Sequence, residues 1–88
     1  MARFIAVHEL PAAATQHEVI EAGKAMANTP DKDTQWLRSW VMDHGDRLFS
    51  EWEAPHEAAI RQALQRASLF PVEAIYAVTV LDPAWFRQ

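Results

Sequence analysis

Apolar and polar residues alternate along two neighbouring segments in the middle of the chain, TQWLRSW and RLFSEWEA. Alternation is typical of β-strands, because successive side chains of a strand point to opposite faces of the sheet. With His44 and Gly45 as a two-residue turn, the segments form a β-hairpin. The predicted cross-strand pairs are Met42–Arg47, Val41–Leu48, Trp40–Phe49, Ser39–Ser50, Arg38–Glu51, Leu37–Trp52 and Trp36–Glu53.

The two faces of this hairpin differ in chemistry. One face is apolar or small and is predicted to join the core; it carries Leu37, Ser39, Val41, Leu48, Ser50 and Trp52. The other mixes aromatic rings with complementary charges; it carries Trp36, Arg38, Trp40, Phe49, Glu51 and Glu53. A solvated face rarely exposes two tryptophans and a phenylalanine. We therefore expect something to cover it, either a second copy of the chain or a flat ligand between the rings.

The flanking segments complete the fold. Residues 3–9 and 74–81 are β-rich, Thr15 and Glu18 form a capping box that opens a helix to about residue 28, and Pro55 begins a second helix to about residue 68. Gly23 is predicted to let the first helix approach the sheet closely, and Trp52 and Tyr76 to lie in or near the core. The order β-α-β-β-α-β predicts one α+β domain over 1–88 with a ferredoxin-like fold. Its four-stranded antiparallel sheet has the order 4-1-3-2 and both helices on one face.

Composition excludes several classes of function. The chain has 88 residues and a formal net charge of −4, with no basic stripe, so nucleic acid is not an expected partner. It has no cysteine, which excludes disulfides and thiolate metal ligands. No apolar run is long enough for a membrane span, and the N-terminus lacks a signal-peptide pattern, so a cytoplasmic protein is expected.

Four sequence blocks resemble a family of small bacterial proteins of largely unknown function, some of them nickel-binding. The blocks are Trp36-Leu37-Arg38-Ser39-Trp40-Val41, Glu53-Ala54-Pro55, Glu57-Ala58-Ala59-Ile60-Arg61 and Val80-Leu81-Asp82-Pro83. The resemblance implies a ferredoxin-like fold, a homodimer and a bound nickel ion. The chain departs from the family pattern at Arg38, where histidine is usual, at Ser50, where cysteine is usual, and at residues 68–71, which replace Gly-Leu-Pro. The first two departures remove the best transition-metal ligands from the hairpin.

The candidate metal ligands are His8, Glu51 and Glu53. In the expected fold the first strand lies beside the third and runs parallel to it. If Ile5 and Val7 point to the core, His8 lies near the two carboxylates, and an imidazole with two carboxylates can hold a divalent metal. If Phe4 and Ala6 are the core residues instead, the cluster does not form. The alternative role of His8 is a hydrogen bond to a carboxylate at a dimer interface.

The candidate ligand-binding residues are Trp36, Arg38, Trp40 and Phe49. Arg38 is predicted to form a cross-strand ion pair with Glu51, or to orient an anionic ligand if a partner covers it. Ser39 and Ser50 are not predicted nucleophiles, because no His-Asp pair is placed to activate either. No catalytic motif was found, so the chain is more simply a binding protein than an enzyme.

Three hypotheses remain open: a dimeric protein that binds nickel, another divalent metal or a small molecule at the open sheet face; a cofactor-free dimeric α+β barrel enzyme of the oxygenase or isomerase type; and a plain dimerisation module.

Overall fold

The computed structural model describes residues 2–10, 15–42, 46–65 and 70–87. Its elements are β1 (Ala2–Glu9), α1 (Gln16–Ala27), β2 (Gln35–Val41), β3 (Arg47–Ala54), α2 (Glu57–Gln65), β4 (Val72–Val78) and a 3₁₀ turn, Pro83–Phe86. The predicted capping box is present, since the Thr15 side chain accepts from the Glu18 backbone and the Glu18 side chain accepts from the Thr15 backbone. The predicted turn residues His44 and Gly45, and the end of the second helix near residue 68, lie outside the described residues.

The four strands form one sheet in the order β2-β3-β1-β4. This confirms the predicted ferredoxin-like fold and its strand order. All three strand pairs are antiparallel. The expectation that β1 runs parallel to β3 was wrong. The helical crossover makes β1 and β2 parallel, and β3 runs opposite to β2 because the two form a hairpin. Since β3 lies between β1 and β2, it is antiparallel to both.

The hairpin keeps its predicted register over most of its length. Val41 pairs with Leu48, Trp40 with Phe49, and Arg38 with Glu51. The register then shifts by one residue between Trp36 and Arg38, so Trp36 pairs with Trp52 and Gln35 with Glu53. Such a bulge gives one strand an extra residue and reverses the side-chain alternation beyond it.

The core lies between the helices and one face of the sheet. Trp52, Ala6 and Ile60 have no exposed surface, and Phe4 is 7% exposed. The remaining core residues are Ala22, Met26, Leu48, Ala54, Ala59, Ala63, Leu64 and Phe70. Phe4 and Ala6 are therefore the core residues of β1, and Ile5 and Val7 point to the other side of the sheet.

That other side is called the open face here, because neither described helix packs on it. Neither helix has the length and apolar run that a membrane crossing requires.

Candidate functional site

The open face is a grid of side chains whose neighbours follow from the strand register. Each row has one residue from each strand, in the order β2, β3, β1, β4. The first row is Trp40, Phe49, Val7 and Ala74. The second is Arg38, Glu51, Ile5 and Tyr76, and the third is Gln35, Glu53, Arg3 and Val78. The apolar residues form an L-shaped patch along the first row and down β4. Trp40 is 48% exposed and Tyr76 is 58% exposed, at opposite edges of the sheet.

Four charged residues, called the charged corner here, lie beside the patch in the second and third rows: Arg3, Arg38, Glu51 and Glu53. Glu51 lies at its centre, with Oε2 2.8 Å from Arg3 Nη1 and Oε1 2.9 Å from Arg38 Nε. Arg3 also reaches Glu53, with Nη2 3.3 Å from Oε2. The hydrogen bond to Glu51 is the main cause that raises the pKa of Arg3, so Arg3 stays cationic. The four formal charges cancel, and Glu51 is only 8% exposed.

The predicted ion pair between Arg38 and Glu51 is present, but the predicted cluster of His8 with the two glutamates is not. In β1, His8 pairs with Leu48 of the core, whereas Ile5 pairs with Glu51 and Arg3 with Glu53. Alternation therefore puts His8 on the helix-covered face and both carboxylates on the open face. The prediction that these three residues form one metal site was wrong for this reason.

His8 takes part in a buried hydrogen-bond chain instead. The Trp52 Nε1–H donates to Ser50 Oγ at 2.8 Å, and Ser50 Oγ lies 2.6 Å from His8 Nε2. His8 Nδ1 lies 3.3 Å from the Phe70 carbonyl oxygen, which can only accept. Nδ1 therefore carries a proton, and in the neutral ring Nε2 accepts from the Ser50 hydroxyl. We call this chain, Trp52 to Ser50 to His8 to Phe70, the core relay.

In the core relay a histidine contacts a serine, and no local sequence pattern indicates this contact. A serine and a neutral histidine at 2.6 Å share the geometry of a nucleophile and its base. Both side chains are fully buried, however, so no substrate can reach Ser50. The relay satisfies four polar groups inside the core, which is a structural role.

Burial of His8 makes the stability of the fold depend on pH. Desolvation lowers the pKa of His8 below its ordinary value of 6.5, and the hydrogen bond to Phe70 opposes this only in part. As pH falls below 6.5, the unfolded chain binds a proton at His8 before the folded chain does, so the free energy of unfolding decreases. We expect the denaturant midpoint to be constant above about pH 7 and to fall as the pH is lowered toward about 5.

The measurement is chemical denaturation across that range for the wild type, His8→Gln and His17→Gln. The pH dependence should shrink in His8→Gln and persist in His17→Gln, since His17 is exposed in the first turn of α1. An unchanged slope in His8→Gln would assign the dependence to other groups.

The donors of the described residues do not fit a nickel ion within one chain. Both oxygens of Glu51 are held by arginines, and the described part of the chain contains no group of three histidine, aspartate or glutamate side chains that could hold a metal. A first-row metal prefers imidazole or several unpaired oxygens.

The predicted ligand-binding residues are divided between the two faces. Arg38, Trp40 and Phe49 lie on the open face, as predicted. Trp36 does not, because the bulge turns it toward the helices, where it packs against the core and donates from Nε1 to Ser39 Oγ at 2.8 Å.

Sequence reasoning also missed two open-face residues, Arg3 and Tyr76. Tyr76 was predicted near the core, but it is an exposed residue of an edge strand. The alternation of β1 could have located Arg3, because a buried Phe4 places its neighbour Arg3 on the opposite face.

Comparisons with known proteins agree with this fold. The model of the SCO4226-like family, described as nickel responsive protein SCO4226-like, matches residues 4–78. The crystal structure of SCO4226 from Streptomyces coelicolor A3(2) superimposes with a TM-score of 0.73 at 21% identity, covering 92% of this chain and 100% of that chain. At that identity the likeness concerns the fold alone. A comparison with curated proteins gave no match.

Proposed function

We propose, since the chain belongs to the SCO4226-like family of nickel responsive proteins, that it is a small homodimeric binding protein whose open face is the pairing surface. The observation that carries this proposal is the L-shaped apolar patch beside the charged corner. Soluble monomers rarely leave a continuous patch of this kind uncovered.

The apolar patch has the composition of an interface core. Aromatic residues are enriched at such cores, and Trp40, Phe49 and Tyr76 supply three rings on one sheet face. The two most exposed rings sit at the two edges, on β2 and β4, while Ile5 and Val7 between them are half-buried. A second copy laid on this face would cover all four strands, with the inner-face side chains of the two sheets packed against each other.

The charged corner favours a second copy over a charged partner. Its two arginines and two glutamates neutralise one another, so covering the corner leaves no net charge buried. A strongly acidic or basic partner would gain little from such a surface. Arg38 is 65% exposed in its side chain and engages Glu51 through Nε, so its outer nitrogens can donate across the interface.

The test is the mass of the protein in solution, measured by sedimentation equilibrium at micromolar concentration. We expect the wild type to give twice the chain mass of 10.0 kDa. Tyr76→Asp should give the single-chain mass, because it buries an unpaired carboxylate in the proposed interface.

Val41→Asp is the matched control for that substitution. Val41 is 60% exposed, close to the 58% of Tyr76, but its pairing with Leu48 puts it on the helix-covered side of the sheet. The Val41→Asp variant should therefore remain a dimer. A monomeric wild type, or equal dissociation of both variants, would overturn the open face as the pairing surface.

Nickel binding is the finer function that the family description raises. Family membership supports it. The geometry of one chain does not, since the described residues contain no cluster of donors that could hold a metal. We therefore propose nickel only for the paired protein. In a calorimetric titration of the same chelator-stripped samples with Ni²⁺, with Zn²⁺ as the comparison metal, we expect saturable binding by the wild type and none by Tyr76→Asp. Equal binding by both would assign the metal to one chain, and no binding by either would remove nickel from the proposed function.

A further inference from the structure

A cavity of about 200 Å³ lies between α1 and the sheet, on the face opposite the proposed pairing surface. Val19, Gly23 and Met26 line it from α1, Trp36 and Ser39 from β2, and Phe70 from the segment that precedes β4. All of these groups are apolar except the Ser39 hydroxyl. The cavity is independent of the charged corner and of any metal.

The cavity exists because α1 lacks a side chain where it faces the sheet. Residues 19, 23 and 26 are spaced so that they share one side of a helix. At the centre of that stripe stands Gly23, and a Cβ built there meets no heavy atom within 4 Å. The prediction that Gly23 lets the helix approach the sheet closely was therefore wrong, since it borders open space.

Two features distinguish this space from an ordinary packing defect. Its volume of about 200 Å³ is several times that of a water molecule, and the space is partly open to solvent. Glycine inside a helix also costs about 1 kcal/mol relative to alanine. Val19 remains 44% exposed although it borders the cavity, so the cavity opens to solvent beside it.

The lining defines the chemical class of the ligand. A charged group would lose its hydration without gaining a partner, because none of the lining residues is ionisable. Trp36 Nε1 already donates to Ser39 Oγ at 2.8 Å. The hydroxyl hydrogen of Ser39 is then available to a ligand oxygen or to the face of a ring.

The volume sets the size of the ligand. An enclosed apolar cavity of about 150 Å³ is large enough to bind benzene, so a space of about 200 Å³ can take a molecule of one ring. We propose that the cavity between α1 and β2 binds a small uncharged aromatic molecule of one ring, with Trp36 against the ring and the Ser39 hydroxyl as its single polar contact.

The first test is titration of the isotope-labelled protein with phenol, followed through the indole N–H signals of its four tryptophans in ¹H–¹⁵N spectra. We expect a saturable shift of the Trp36 signal and none for Trp85, which lies in the exposed 3₁₀ turn. Benzoate has the same ring but carries a charge, so it should leave Trp36 unchanged. The absence of a Trp36 shift up to the solubility limit of phenol would overturn the proposal.

The second test fills the cavity from α1. Gly23→Leu should weaken phenol binding about tenfold or more, because the leucine occupies the apolar space that the ring would fill. It should also raise the melting temperature, since it removes a helical glycine and a void. Glu21→Leu adds the same side chain on an exposed position of α1 and should bind phenol like the wild type.

Val19→Phe supplies a second filling variant at the mouth of the cavity, so the test does not depend on whether Gly23→Leu folds. Either variant, shown to be folded by circular dichroism and still binding phenol with wild-type affinity, would place the ligand elsewhere and overturn the assignment.

Discussion

Ser50→Ala is expected to lower the free energy of unfolding by about 2–4 kcal/mol, which is a large fraction of the stability of a small domain. The change removes a single oxygen atom but interrupts the core relay at its centre. Ser50 Oγ accepts from Trp52 Nε1 at 2.8 Å and lies 2.6 Å from His8 Nε2.

The cost arises from the two groups that stay behind. Trp52, Ser50 and His8 have no exposed surface, so water cannot replace the lost hydroxyl. A buried donor or acceptor without a partner costs about 1–3 kcal/mol, and this substitution leaves one of each. In a domain of this size the melting temperature should fall by about 10–20 °C.

Ser39→Ala is the matched control, because Ser39 faces Ser50 across the hairpin. It also accepts from a tryptophan, but Trp36 and Ser39 are only partly buried, and one donor rather than two groups loses its partner. We expect a loss of about 1 kcal/mol or less. Equal melting temperatures for the two variants would show that the core relay contributes no more than an ordinary partly buried hydrogen bond.

Local patterns predicted most of the fold because each rests on a few neighbouring residues. The capping box needs only Thr15 and Glu18, and both of its hydrogen bonds are present. The hairpin register follows from alternation around a short turn, and the Arg38–Glu51 pair is where alternation puts it. The strand order then follows from short connections and right-handed crossovers.

The site was harder to predict because it depends on which side of β1 is buried. Residues 4–7 are all apolar, so the sequence does not show whether Phe4 and Ala6 or Ile5 and Val7 face the core. The hydrogen-bonding partners of His8 show which face of β1 is buried. On the helix-covered face its imidazole lies within hydrogen-bonding distance of both the Ser50 hydroxyl and the Phe70 carbonyl. Such a match involves residues more than forty positions apart, which local periodicity does not report.

The bulge in β2 also made the face of one residue, Trp36, hard to predict from the sequence. The register shift before Arg38 turns Trp36 from the open face to the core, and no glycine or proline marks it in the sequence. Its consequence is that the tryptophan predicted for the pairing surface lines the cavity on the other side instead.

Glu51→Gln is expected to cost about 2 kcal/mol in unfolding free energy and to weaken pairing, because Glu51 forms ion pairs with both arginines of the charged corner. Glutamine keeps the shape of the side chain and loses the charge. Arg3 Nε is buried and has no hydrogen-bond partner within the described residues, so Arg3 depends on its terminal nitrogens for compensation. The expected loss is no larger because the Arg38 side chain is 65% exposed, so water screens its ion pair with Glu51.

Glu53→Gln is the matched control on the same strand and the same face. Its carboxylate is 36% exposed and reaches Arg3 only at 3.3 Å, so its loss should cost no more than about 0.5–1 kcal/mol. Thermal unfolding and sedimentation of both variants at low and high salt give the comparison.

High salt should increase the difference between the stability losses of Glu51→Gln and Glu53→Gln, because added ions screen exposed ion pairs and leave buried ones largely intact. If the open face is covered by a second copy, the Glu51→Gln defect should persist in high salt and the dimer should dissociate at higher protein concentrations than the wild type. Covering the corner in that variant buries two arginines against one remaining glutamate in each copy. If the open face is solvated, salt should reduce the Glu51→Gln defect toward that of Glu53→Gln, and the charged corner would then be a surface ion network with no part in pairing.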